Sequence, residues 1–134
     1  METLYSYVVP KNKKEFIIIK PGFLKFRNDI LEILRSHHMI PVAELRKTLS
    51  LEEAKKLYSP HKNEDFYKDL CNYMSEGDSI GFKLVNYAGE DLSEIKKHIR
   101  DKYGIDEMRN CMHSSDSSKN VKRESKIYFA TPSL

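Results

Sequence analysis

The strongest structural signal in this chain of 134 residues is the run Phe16-Ile17-Ile18-Ile19-Lys20-Pro21-Gly22. Its first four residues are aromatic or β-branched, and an unbroken apolar run of this kind predicts a strand buried on both faces of a sheet. Pro21-Gly22 then ends the strand in a turn. Lys20 is therefore expected at the end of a central strand.

Further elements follow toward the C-terminus. Apolar residues recur at helical spacing over residues 30–34, after Asn28-Asp29 as a cap, and residues 40–45 predict a second strand in which Pro41 indicates an edge or a bulge. The remaining predictions, in chain order, are a helix capped by Ser50 and Glu53 and ending before Pro60, a helix over 63–75, a strand over 80–84, a helix over 91–102, an irregular segment with His113, a short helix over 117–124, and a closing strand at Ile127 and Phe129.

The order βαβααβαβ predicts the fold class. Short strands separated by helices favour an α+β sandwich, in which helices cover a mostly antiparallel sheet of four strands. The length suits one domain, so we expect an N-terminal arm over residues 1–14 and a single domain over residues 15–134.

Composition limits the classes of function. The net charge is only +3, and basic residues are interleaved with acidic ones, which argues against a dedicated nucleic-acid groove but allows anionic small molecules. No apolar run is long enough for a membrane helix, and residues 1–14 do not resemble a secretion signal. Cys71 and Cys111 form no Cys-x-x-Cys pair, so we expect buried thiols in a reducing, cytoplasmic compartment.

The chemistry of the chain is concentrated in Arg109-Asn110-Cys111-Met112-His113-Ser114-Ser115-Asp116-Ser117. One histidine lies among small polar residues just ahead of a predicted helix, where a nucleophile can be exposed. The simpler interpretation of an isolated histidine of this kind is an ordinary surface residue in a Ser-rich turn.

The segment resembles the active-site signature of nucleoside diphosphate kinases. Asn110, His113 and the pair Ser115-Asp116 match that signature in type and spacing, while Ser114 stands where the family usually has glycine. The run from Phe16 to Gly22 resembles the first strand of the family, and the resemblance extends from about residue 15 to residue 129.

The resemblance implies a ferredoxin-like fold and a ping-pong reaction. The terminal phosphate of a nucleoside triphosphate would pass to His113 and then to a second nucleoside diphosphate, with Mg²⁺ bound through the nucleotide phosphates and no metal site of the protein's own. A largely neutral imidazole suits the role, because one ring nitrogen is free to attack without a base.

The resemblance also assigns roles to further residues. The catalytic set would be His113, Glu124 as the residue that orients its ring, and Lys20, which would also donate to the sugar and phosphates. The nucleotide-binding set would add Arg100 as phosphate clamp, Phe66 as base platform, Asn110 on the ribose, Tyr58 near the phosphates, and Lys97, or alternatively Lys96, as the second cation, with Ser115 and Asp116 in support. Taken singly, Phe66 also fits a core position and Glu124 a solvated helix face.

The sequence departs from the family in three places. Gly22-Phe23 replaces the usual Asp-Gly, most of a loop between Asp91 and Arg100 is missing, and the usual C-terminal segment after Phe129 is absent. Since the missing parts contribute to trimer contacts in the family, we expect a homo-oligomer that is a dimer rather than a hexamer.

Two other functions remain open at this level. The chain fits a nucleotide-binding or assembly module of the same fold that has little kinase activity. It also fits a basic sheet domain for single-stranded nucleic acid, although it has no RNP-like aromatic motif.

Overall fold

Strand β1 (Lys13–Ile19) occupies the interior of a four-stranded sheet, as its apolar run predicts. The structure is a computed structural model that describes residues 13–106 and 108–130. Its other strands are β2 (Met39–Lys47), β3 (Ser79–Asn86) and β4 (Met112–Ser114), and its helices are α1 (Arg27–Ser36), α2 (Leu51–Leu57), α3 (Tyr67–Ser75), α4 (Leu92–Tyr103) and α5 (Ser118–Tyr128). Short 3₁₀ turns cover Leu24–Phe26 and Ser59–His61.

The strand order across the sheet is β2-β3-β1-β4, and each neighbouring pair is antiparallel. This order, with helical connections between the strands, is the ferredoxin-like arrangement, and the predicted α+β fold class is confirmed. The edge position of β2 and its bulge between Pro41 and Ala43 also agree with the sequence analysis. Strands β2 and β4 form the two edges of the sheet.

The predicted closing strand at Ile127 and Phe129 is wrong. Helix α5 continues to Tyr128, because the residues that it buries, Val121, Glu124 and Tyr128, recur at helical spacing. The fourth strand is instead the segment around His113 that the sequence analysis treated as irregular. Only three residues long, this strand gave too little period-2 pattern to be recognised.

Two helix starts also differ from prediction. Helix α3 begins at Tyr67 rather than at residue 63, because turns occupy the intervening residues. Helix α1 begins at Arg27, so Asn28-Asp29 lies inside its first turn and does not cap it. The predicted arm over residues 1–14 lies mostly outside the described residues, and its last two residues are the first two of β1.

Apolar clusters fill both faces of the sheet. Helices α1 and α4 pack on one face, against Ile17 and Ile19 of β1. Helices α2, α3 and α5 pack on the other, against Phe16 and Ile18. All four β1 side chains are fully buried, as expected for a strand covered on both sides. Within the described residues, no helix is both long and apolar enough to cross a membrane.

We predict that Gly81→Ala lowers the free energy of unfolding by about 1–3 kcal/mol, because a Cβ at Gly81 would overlap the ring of Tyr128. That ring is fully buried and its hydroxyl lies 2.8 Å from the Ser79 Oγ, so it has little freedom to move. Gly77→Ala is the matched control, since its Cβ would meet only Pro21 at 3.5 Å, and should change stability by less than about 0.5 kcal/mol. Equal effects of the two substitutions in urea unfolding would contradict the prediction.

Candidate active site

His113 is held at the β4 edge of the sheet. It pairs with Ile18 across the ladder, and because side chains alternate along a strand, its ring lies on the face covered by α2, α3 and α5. The side chain is 15% exposed, so it is enclosed on most sides but not sealed. The sequence predicted an irregular segment around this histidine, whereas the structure puts it on a strand.

Glu124 fixes the orientation of the His113 ring. Helix α5 is capped by the Ser117 hydroxyl, and its second turn brings the Glu124 Oε1 to a short hydrogen bond with the His113 Nε2. A carboxylate only accepts hydrogen bonds, so Nε2 must carry the proton and donate it. Burial lowers the pKa of His113 below its usual value, against the opposing pull of Glu124. The ring is therefore neutral near pH 7 and keeps the Nδ1 lone pair available.

Tyr58 supports the ring from the end of α2. Its ring centroid lies 5.2 Å from that of His113 at an interplanar angle of 75°, an edge-to-face contact. The phenol is almost fully buried, and burial together with the Glu124 charge raises its pKa. Tyr58 is therefore a neutral wall of the site that limits the rotation of the imidazole.

Three cations converge on the same place from two elements. Lys20 follows β1, is 4% exposed, and donates from Nζ to the Met108 carbonyl at 3.3 Å. Arg100, in the last turn of α4, donates from Nε to the Met112 carbonyl at 2.9 Å, which ties the helix to β4. Lys96 lies one turn earlier on the same helix. Burial, with the charge of Arg100 next in importance, lowers the pKa of Lys20 to about 7 and also lowers that of Lys96.

These groups line one cleft of about 500 Å³. Its charged lining residues are Lys20, Lys96, Arg100, Asp116, Arg123 and Glu124, and His113 lies among them. Phe66 lines the same cleft but is 42% exposed and is not part of the core, and the ring of His61 lies 5.7 Å from it. The cleft thus has a cationic side around His113 and an aromatic side at Phe66.

Two predicted binding residues lie elsewhere. Lys97 is exposed and lines a neighbouring cavity, because one residue along an α-helix turns the side chain by about 100° away from Lys96. The choice of Lys97 over Lys96 as the cation of the His113 cleft therefore needs correction. Asn110 is 2% exposed and also lines that neighbouring cavity, not the cleft with His113. Lys96 and Arg100 form the wall between the two cavities.

The supporting residues of the signature organise the turn between β4 and α5. The Ser115 amide donates to the Phe16 carbonyl at 3.0 Å, which extends the β1–β4 ladder by one residue. Asp116 lines the cleft and accepts a 2.7 Å hydrogen bond from Asn120. This contact lowers the pKa of Asp116 and keeps its carboxylate charged.

Three other polar residues that line the cleft were not predicted from the sequence, namely His61, Asn120 and Arg123. Helical spacing could have indicated Asn120, which lies four residues before Glu124 on α5. Among residues 13–106 and 108–130, no group of three or more His, Cys, Asp or Glu side chains is arranged to hold a metal ion.

An α+β sandwich with a carboxylate-held histidine facing clustered cations is the arrangement of a phosphate-transferring protein. The family model described as nucleoside diphosphate kinase matches residues 13–134. The chain is 30% identical over 132 residues to the nucleoside diphosphate kinase of Fervidobacterium nodosum, covering 88% of this chain and 89% of the relative. It is 25% identical to that of Kosmotoga olearia, covering 91% and 92% of the two chains.

The fold comparison agrees. A crystal form of the Aquifex aeolicus nucleoside diphosphate kinase superposes with a TM-score of 0.77 at 22% identity, over 89% of this chain and 96% of that one. The chain therefore belongs to the nucleoside diphosphate kinase family, enzymes that transfer phosphate between nucleotides. The predicted family membership and class of enzyme are confirmed.

Proposed function

We propose that the His113 Nδ1 carries the phosphate in a ping-pong exchange between nucleoside triphosphates and diphosphates. The observation that supports this most directly is the His113–Glu124 contact through Nε2, inside a cleft whose lining includes Lys20, Lys96 and Arg100. That contact leaves Nδ1 as the ring nitrogen with a free lone pair.

The exchange has two half-reactions that mirror each other. In the first, the Nδ1 lone pair attacks the γ-phosphorus, the N–P bond forms, and the bond to the bridging oxygen breaks so that its electron pair leaves on the diphosphate. In the second, a terminal oxygen of another nucleoside diphosphate attacks the same phosphorus and the N–P electron pair returns to Nδ1. In both half-reactions Glu124 accepts the hydrogen bond from Nε2–H and stabilises the positive charge that develops on the ring.

The basic side chains bind the phosphates of the nucleotide, and Phe66 binds its base. Lys20, Lys96 and Arg100 neutralise the phosphate charge, with the Arg100 guanidinium suited to two oxygens at once. Phe66 offers an exposed ring on which any base can stack, so broad base tolerance is expected. Lys97 and Asn110 line the neighbouring cavity, which shares Lys96 and Arg100 with the cleft. We propose that Asn110 binds the ribose from that side, and we assign Lys97 no contact with the phosphates.

We also propose that Mg²⁺ enters with the nucleotide as part of the substrate. The two carboxylates that line the cleft are engaged already, Glu124 with His113 and Asp116 with Asn120. These residues fit a metal held mainly by phosphate oxygens and water. Mg²⁺ bound in this way would neutralise charge on the transferred phosphate.

The test is a coupled phosphate-exchange assay with ATP and several nucleoside diphosphates. Exchange above background with more than one base is expected. ADP binding by calorimetry without measurable exchange would instead favour a nucleotide-binding module that shares the fold.

We predict that Lys96→Gln raises the KM for nucleoside diphosphates by about tenfold, while Lys97→Gln changes it by less than about twofold. The two substitutions remove the same charge from adjacent positions of α4, but only Lys96 lines the cleft with His113. Steady-state kinetics on both variants make this comparison. A larger effect at Lys97 would contradict the assignment of Lys96.

Assembly and location complete the proposal. We propose a dimer formed through the β2 edge, where Ile40 and Val42 are 38% and 61% exposed, because an unpaired edge strand with apolar side chains favours pairing with another strand. Sedimentation analysis of wild type and Val42→Lys tests this.

The free, buried thiols of Cys71 and Cys111 support a cytoplasmic location. Residues 15–134 are proposed to act as one domain.

A further inference from the structure

We infer that Arg123 is a positioning residue that sets the orientation of His113 by holding both of its supports, Glu124 and Tyr58, in one place. The inference rests on the proposed role of His113 as the nucleophile. Arg123 lines the cleft, but its guanidinium nitrogens donate hydrogen bonds to protein acceptors.

The first anchor is the C-terminal end of α2. The Arg123 Nη1 donates to the Lys56 carbonyl at 2.8 Å and its Nη2 donates to the Leu57 carbonyl at 3.1 Å. The last carbonyls of a helix lack partners within the helix, and a cation there is favourable. Because Tyr58 directly follows Leu57, this contact fixes the backbone that carries the ring packed on His113.

The second anchor lies within α5. The Arg123 Nε donates to the Asn120 Oδ1 at 3.2 Å, and Asn120 in turn donates from Nδ2 to the Asp116 Oδ1 at 2.7 Å. Asp116 belongs to the turn that joins β4 to α5. The guanidinium is thus connected to the segment that directly follows His113.

The third contact is with Glu124 itself. The Arg123 Nη2 lies 3.6 Å from the Glu124 Oε2, while the other carboxylate oxygen of Glu124 binds His113. The Glu124 side chain is only 5% exposed, and the neighbouring guanidinium partly compensates the burial of its carboxylate. Arg123 therefore connects α2, the β4–α5 turn and Glu124, and these surround the imidazole.

The occupied guanidinium explains why Arg123 is assigned to positioning and not to phosphate binding. All three of its nitrogens already have protein acceptors, and a lysine has no planar fork to reproduce that set. Lys20, Lys96 and Arg100 instead supply the cations for phosphate.

The experiment compares Arg123→Gln with Arg35→Gln, which removes the same charge from an exposed position of α1. Single-turnover labelling with radiolabelled ATP should slow about 10²-fold in Arg123→Gln, and calorimetric ADP affinity should change less than about threefold, since misplacement of a reacting group affects chemistry more than binding. Arg35→Gln should match wild type in both. Arg123→Lys should recover little of the rate, because charge alone does not restore the three anchors.

A second measurement does not need turnover. In nucleotide-free protein, ¹⁵N-resolved NMR should show a single His113 tautomer protonated at Nε2, and Arg123→Gln should give averaging between tautomers or ring positions. Asn120→Ala, which removes only the second anchor, should give an intermediate signal and serves if Arg123→Gln unfolds. If wild type takes no label yet the tautomer changes, the proposed reaction fails and the positioning role stands.

Two results would overturn the inference. A loss of ADP affinity in parallel with the labelling rate would make Arg123 a binding residue. An unchanged tautomer and rate in Arg123→Gln, with only a lower free energy of unfolding, would leave it a structural residue.

Discussion

Replacing His113 with alanine is expected to abolish the phosphorylated form of the protein and to lower phosphate exchange by at least about 10³-fold. The structure places no other imidazole in contact with Glu124 among the described residues. Without Nδ1, the terminal phosphate loses the acceptor that Glu124 holds in place, whereas the basic side chains of the cleft remain. ADP should therefore still bind to His113→Ala, which calorimetry and acid-labile labelling measure on the same sample.

The control for His113→Ala is His98→Ala, which removes an exposed imidazole of α4. His98→Ala should retain wild-type labelling and exchange. Removing the ring from His113 also takes away the hydrogen-bond donor of the buried Glu124 carboxylate, so that variant should lose about 1–3 kcal/mol of stability. Equal labelling of wild type and His113→Ala would remove the histidine from the reaction.

Replacing Lys20 with methionine is expected to slow phosphate transfer by about 10²–10³-fold and yet to stabilise the protein by about 1–4 kcal/mol. Lys20 is 4% exposed, and Cys111 and Asp106 only partly offset the effects of burial and of Arg100 and Lys96 on its pKa. An apolar side chain of similar length avoids this desolvation but cannot neutralise a phosphate. Urea unfolding and single-turnover labelling measure the two opposite effects.

The lowered pKa of Lys20 makes both the stability of the fold and the binding of ADP depend on pH. Its pKa is about 7 in the folded protein and near 10.5 in an unfolded chain, so the unfolded chain binds more protons between these values and stability rises with pH across that window. Lys20→Met should remove this rise. Bound phosphates favour the charged amine, so ADP binding at pH values of about 8–9 should take up protons and weaken as pH rises, by at most about tenfold per unit.

Calorimetry in buffers of different ionisation enthalpy measures that proton uptake. Wild type should take up a substantial fraction of one proton per ADP, and Lys20→Met should take up much less. The same uptake in both proteins would show that Lys20 is not the group that titrates. A lower stability of Lys20→Met would show that burial of the amine is well compensated.

The sequence predicted the interior of the fold better than its edge. The run around Ile17 is long, apolar and bounded by Pro21-Gly22, so its period and its end are both explicit. Strand β4 has three residues, and its pairing with β1 depends on contacts far along the chain. The continuation of α5 through Ile127 was missed because two apolar residues at alternate positions resemble a strand until Tyr128 is seen to share a face with Glu124.

The candidate site was likewise predicted only in part. The family resemblance assigned Glu124 to His113 and Arg100 to phosphate, and the structure brings Glu124 to the His113 ring and Arg100 to β4. The sequence did not separate Lys96 from Lys97, since adjacent helical residues differ in direction by about 100° and the register of α4 depends on its packing. The contacts of Arg123 with α2 join residues 66 and 67 positions apart, which local patterns do not reveal.

The most direct measurement is to label the protein with radiolabelled ATP, identify the modified atom by NMR and mass spectrometry, and then add unlabelled GDP. We predict one acid-labile phosphate per chain, bonded to Nδ1 of residue 113, that moves in full to GDP. A protein that takes no label, or that carries it on a different residue or on Nε2, would contradict the account.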